Sequence, residues 1–124
     1  RADKVNAIAN SLPPSEVFGD AEGGDVLVLG WGGTYGAITS AVRNLRTEGF
    51  PVSSLHLRNL NPFPNDLGDI LSKFKKVLIP ELNMGQLSLL IRSKYLIDVI
   101  SYSKVQGQPF KVSELSNKIL ETIR

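Results

Sequence analysis

Cysteine is absent from the 124 residues. No disulfide scaffold, thiolate zinc site, iron–sulfur cluster or cysteine nucleophile can therefore be built from this chain alone. Histidine occurs once, at His56, between Leu55 and Leu57. A solitary imidazole at the end of a strand is more often packed or hydrogen-bonded than catalytic. Charge of one sign is also scarce. The net charge is +2, and the densest basic cluster, Lys73, Lys75 and Lys76, reads as a solvated helix end. That excludes a nucleic-acid patch as the organising feature. No apolar run reaches the roughly 18 residues of a membrane span, and no signal peptide opens the chain. Neither a membrane nor a nucleic-acid partner is expected, and a reducing cytoplasm suits the lack of thiols.

What is present is the composition of one ordinary globular domain, 42% hydrophobic and 21% charged. Arg1 in place of Met, and a first stretch that reads as a helix under way, point to a piece of a longer protein. Val5, Ile8, Ala9 and Leu12 repeat at helical spacing until Pro13-Pro14 stop them, so residues 1–14 are expected to be a lead-in helix and linker. Residues 15–124 form the expected domain.

Within it, strand and helix patterns alternate. Glu16 to Phe18 is a short extended segment, and Asp25-Val26-Leu27-Val28-Leu29-Gly30 a buried strand. Ala37, Ile38, Ala41, Val42 and Leu45 make a helical stripe, with Thr34 as its expected N-cap and Gly49 as its left-handed stop. Val52 to Leu57 is extended, and Asn61-Pro62-Phe63-Pro64 a rigid loop. A second stripe, Leu67, Ile70, Leu71 and Phe74, precedes the apolar strand Val77-Leu78-Ile79. Gly85 and Gln86 open a third helix with Leu87, Leu90, Ile91 and Lys94/Tyr95 on one face. Val99 to Tyr102 reads as a strand and Gly107 to Pro109 as a turn. Ser113 caps a last helix carrying Leu115, Ile119, Leu120 and Ile123. Such alternation predicts an α/β fold with a mostly parallel sheet covered on both faces.

The turn Gly30-Trp31-Gly32-Gly33-Thr34-Tyr35-Gly36 lies between a strand and a helix, where phosphate-binding turns occur. The dinucleotide fingerprint fails twice. Its third glycine falls on Tyr35, and His56-Leu57-Arg58 replaces the ribose-binding acid. Trp31 and Tyr35 either pack locally or anchor another domain or subunit. Glu81, Asn83, Gly85 and Gln86 follow a buried strand and belong to the same carboxyl rim, the edge at which open α/β sheets bind ligands. The interface or ligand-edge candidates are thus Gly30, Trp31, Gly32, Gly33, Thr34, Tyr35, Glu81, Asn83, Gly85 and Gln86. No catalytic pair, cofactor site or metal set is legible.

Taken in order, Gly30–Gly36, Leu55-His56-Leu57-Arg58, Asn61-Pro62-Phe63-Pro64, Pro80-Glu81-Leu82-Asn83-Met84-Gly85-Gln86-Leu87 and Gly107-Gln108-Pro109-Phe110 resemble the C-terminal domain of 2-oxoacid:ferredoxin oxidoreductase α subunits, with the 2-oxoglutarate enzymes the nearest likeness. The resemblance implies a transketolase C-terminal-like, three-layer α/β/α fold. Its five-stranded mixed sheet would have Glu16 to Phe18 as the antiparallel strand. It also implies a parent complex that uses thiamine diphosphate, magnesium and an iron–sulfur cluster. That complex takes coenzyme A as substrate and passes electrons to ferredoxin. The implied partners are a preceding pyrimidine-binding domain and a β subunit. No thiamine-site residue carries over to this chain, so the implied role is assembly. A small phosphate- or coenzyme A-binding module is the alternative.

Overall fold

The computed structural model describes residues 12–82, 85–104 and 108–124. The expected lead-in helix, apart from Leu12, lies outside the described residues, as does Gly107 of the expected turn. The elements are β1 (Val17–Phe18), β2 (Gly24–Trp31), a 3-10 turn (Gly32–Thr34), α1 (Tyr35–Thr47), β3 (Val52–Leu57), α2 (Leu67–Ser72), β4 (Phe74–Glu81), α3 (Gln86–Tyr95), β5 (Ile100–Ser103) and α4 (Val112–Ile123). The sheet order is β1-β3-β2-β4-β5, with β1 antiparallel to β3 and every other pair parallel.

The central strands are apolar throughout because both faces of the sheet are covered. Leu27, Leu29, Val77 and Ile79 enter one core with Leu67 and Leu71 of α2 and Leu87 and Ile91 of α3. Val26, Val28 and Leu78 enter the other with Ile38, Ala41, Val42 and Leu45 of α1 and Leu115 and Ile119 of α4. Topology explains which helix lies where. The chain moves outward from β2 to β3, then crosses back past β2 to β4, and crossovers of one hand in opposite directions place their helices on opposite faces.

Several local expectations give way to tertiary context. Thr34 does stand at the N-cap position of α1, but its side chain makes no capping bond: as the last residue of the 3-10 turn, it donates its hydroxyl to the Trp31 carbonyl at 3.0 Å. Phe74 begins β4 instead of ending α2, because it pairs with Gly24. Lys75 and Lys76 consequently lie on a strand, where Lys76 Nζ donates to the Thr122 carbonyl and ties α4 to β4. Leu90 is 46% exposed, and Ser88 takes the buried place in its stead. Ser113 falls within α4, whose N-cap is Lys111; the Glu114 side chain accepts from the Lys111 N–H at 2.9 Å. Gly49 does stop α1 as expected, at φ +95°. The Asn61–Pro64 loop contains a cis Asn61–Pro62 bond and buries Phe63 against Tyr95. Among the described residues no helix is long and apolar enough to cross a membrane.

Candidate functional site

The chain reverses direction across the sheet between β2 and β4, so a crevice opens at their carboxyl ends. Crevices of this kind are the usual ligand edge of α/β sheets. Here it is a cleft of about 180 Å³ lined by Trp31, Gly32, Gly33, Thr34, Glu81 and Leu82. The glycine turn and the start of the Glu81 stretch therefore do meet on one rim. Asn83 lies outside the described residues.

The rim residues are not equivalent. Gly30 is buried, and a Cβ there would stand 2.4 Å from Ile38 Cδ1 and 3.0 Å from Thr34 Oγ1, so this glycine serves close packing of strand on helix. Gly32, at φ +64°, and Gly33 border open space. Trp31 is half-buried against the core under α2 and α3. It is therefore partly a core residue, and its truncation cannot leave the fold untouched. Tyr35 points elsewhere: it is 57% exposed and meets the His56 ring edge-on, with centroids 5.0 Å apart.

Glu81 is the rim's single acid, and it is not available to a ligand. It is 1% exposed, and its carboxylate accepts the backbone N–H groups of Leu87 at 2.8 Å and Ser88 at 3.2 Å. Those N–H groups open α3, where Gly85 offers no side chain to cap the helix. The negative charge also faces the positive end of the helix dipole. Gly85 itself, at φ +78°, has Ser101 Oγ 3.1 Å from where a Cβ would be, so β5 closes over it. Gln86 is exposed. With Glu81 committed internally, the edge carries open backbone and side-chain surface but no free acid–base pair. Among the described residues no three His, Cys, Asp or Glu side chains gather as a metal site.

A second concavity, of about 420 Å³, lies beyond Tyr35 on the α1 side of β1 and β3. Sequence reasoning missed it because its basic residues, Arg43 on α1 and Arg58 after β3, are far apart in the chain. His56 also lines it, with Nδ1 buried and without a hydrogen-bond partner. Burial, and secondly the Arg58 guanidinium, push the His56 pKa below its ordinary 6.5. The folded state thus resists protonation there, so stability is full above about pH 6.5 and declines as pH falls through the folded pKa. His56→Gln should flatten that acid limb of a plot of urea midpoint against pH; an unchanged slope would remove His56 as its cause.

A family model described as "Pyruvate:ferredoxin oxidoreductase core domain II" matches residues 24–115. The chain is 44% identical to 2-oxoglutarate oxidoreductase subunit KorA of Mycobacterium tuberculosis over 120 residues, which is 96% of this chain and 18% of that subunit. Among solved structures, 2-oxoglutarate:ferredoxin oxidoreductase from Magnetococcus marinus, with 2-oxoglutarate, coenzyme A and succinyl-CoA bound, superimposes with a TM-score of 0.90. The identity there is 33%, covering 96% of this chain and 21% of that one. A split-gene transketolase, captured as an inactive β4 tetramer, aligns at TM-score 0.66 and 14% identity over 89% of this chain and 41% of its own, a likeness of fold. The chain thus spans about a fifth of each of these two oxidoreductase chains.

Proposed function

Because the chain belongs to the pyruvate:ferredoxin oxidoreductase core domain II family, we propose that it is a non-catalytic assembly domain of the α subunit of a 2-oxoglutarate:ferredoxin oxidoreductase. Residues 15–124 would be the domain and residues 1–14 the link from a pyrimidine-binding domain. The parent reaction joins the acyl group of a 2-oxoacid to coenzyme A, releases carbon dioxide and reduces ferredoxin. Thiamine diphosphate with magnesium and an iron–sulfur cluster would supply that chemistry in the parent complex. This chain has no cysteine to hold a cluster, and its described residues gather no acidic magnesium set, so no step is assigned to them. The observation that carries the assembly reading is the commitment of Glu81. An edge whose single carboxylate caps its own helix, beside an exposed Tyr35, suits contact better than chemistry. The cleft's about 180 Å³ also falls below the roughly 300 Å³ at which small-molecule pockets begin, which favours a protein neighbour over coenzyme A at the glycine turn.

Tyr35→Ala tests this reading, since an exposed side chain can be removed with little effect on the fold. Loss of an interface aromatic typically costs about 2 kcal/mol, roughly a thirtyfold weaker association. Affinity of the complete α subunit for its β subunit should fall by that order while the thermal midpoint holds. Unchanged affinity would remove Tyr35 from the interface. Viologen reduction by this chain alone, given 2-oxoglutarate, coenzyme A and thiamine diphosphate, would overturn the non-catalytic role.

A further inference from the structure

The concavity beside α1 is the larger of the two and has a different character from the rim. Its volume of about 420 Å³ lies within the range of small-molecule sites. Val17 and Ile38 contribute apolar wall, and Arg43 and Arg58, both exposed, stand on the same lining. Neither arginine forms an ion pair with a carboxylate among the described residues; Arg43 lies over the Phe18 ring, 5.8 Å from its centroid. Glu16 is the one carboxylate on the wall, and it too has no ion pair there. A concave wall with two arginines and one carboxylate carries a net positive potential. Guanidinium groups match the planar fork of a carboxylate or the face of a phosphate. His56 adds a neutral contribution. Its Nδ1 is buried without a partner; in the tautomer that carries the proton on Nε2, the ring would have a donor for an occupant.

We propose that this concavity is a binding site for a small oxyanion carried on an apolar body, a phosphate monoester or a carboxylate, with Arg43 and Arg58 supplying the charge and His56 a donor. Tyr35 lines this concavity too, so the site adjoins the assembly surface; its test, made on this chain alone, does not depend on the assembly role. Apolar wall and paired arginines together select for amphiphilic anions over inorganic ones, since the stem of the ligand covers Val17 and Ile38 while its head stays among the cations.

His56 is the chain's one histidine, so its Cε1–H resonance is a single unambiguous reporter. The resonance is followed in this chain, in chloride buffer, during separate titrations with phenyl phosphate, benzoate and inorganic phosphate. Saturable shifts are expected with phenyl phosphate, benzoate or both, at dissociation constants below about 1 mM, and weaker binding of inorganic phosphate. Saturation by one aromatic anion and not the other identifies which oxyanion the site takes. Arg43→Gln and Arg58→Gln should each weaken binding at least about tenfold. Arg58→Lys, which keeps the charge and loses the fork, should weaken it less and guards against a folding artefact. Lys94→Gln, an exposed cation outside the concavity, should change nothing. Shifts that stay linear into tens of millimolar overturn the proposal. So does saturation that survives both arginine-to-glutamine variants or responds equally to Lys94→Gln.

Discussion

Glu81→Ala is expected to destabilise the fold by about 3 kcal/mol, read as a shift of the urea midpoint at unchanged slope. The carboxylate satisfies two N–H groups at the start of α3, at 2.8 and 3.2 Å, in a place from which water is excluded. Alanine would leave both donors buried and unpaired, at about 1–3 kcal/mol each, and would open a void the size of the lost side chain. Glu81→Gln makes a graded comparison. It keeps one acceptor but turns an NH₂ donor toward the other N–H, so about half of the loss should remain. A change of less than about 1 kcal/mol in the alanine variant would mean that the α3 terminus finds other partners, and the rim would lose its internal anchor.

The second large effect falls on Gly23. This residue has φ +126°, and a Cβ added there would stand 2.3 Å from the Lys73 carbonyl oxygen. Backbone cannot swing aside as a side-chain tip can. Lys73 also precedes Phe74, whose pairing with Gly24 starts the β2–β4 ladder. Gly23→Ala should therefore cost about 3 kcal/mol, combining a disfavoured backbone conformation with overpacking. Gly49→Ala separates the two contributions. Gly49 has φ +95° with open space around it, so it should cost only about 1 kcal/mol. Equal losses in the two variants, measured by urea unfolding, would show that the Lys73 carbonyl yields readily.

The sequence pattern was legible where a residue's fate is set by its immediate neighbours. Leu27 and Val28 point to opposite cores, yet both are apolar, and the continuous run announces a strand covered on both faces. Gly49 and the antiparallel strand at Val17–Phe18 also came through, the latter from family resemblance. Phe74 was misplaced because its aromatic side chain continues the α2 stripe equally well; only pairing with Gly24, far back in the chain, makes it strand. The meeting of Trp31–Thr34 with Glu81 on one edge was legible, since position after a parallel strand suffices for that; the turn of Tyr35 toward the other concavity was not. The role of Glu81 was not legible. Its partners are six and seven residues ahead, across a turn at Gly85, a spacing that matches no local capping pattern. The meeting of Tyr35 with His56 depends on how α1 settles over β3, and no local spacing encodes it.

The sheet narrows sharply from centre to margin. β2 and β4 have eight residues each, whereas the outer strands β1 and β5 have two and four. An outer strand presents unpaired peptide groups that can recruit a foreign strand, and its length sets how much template it offers. Two and four residues offer little purchase for such growth. The molecule can therefore expose aromatic surface at its rim without inviting runaway fibre-like addition along the hydrogen-bonding direction. Growth of the sheet by a foreign strand is thereby disfavoured at both margins.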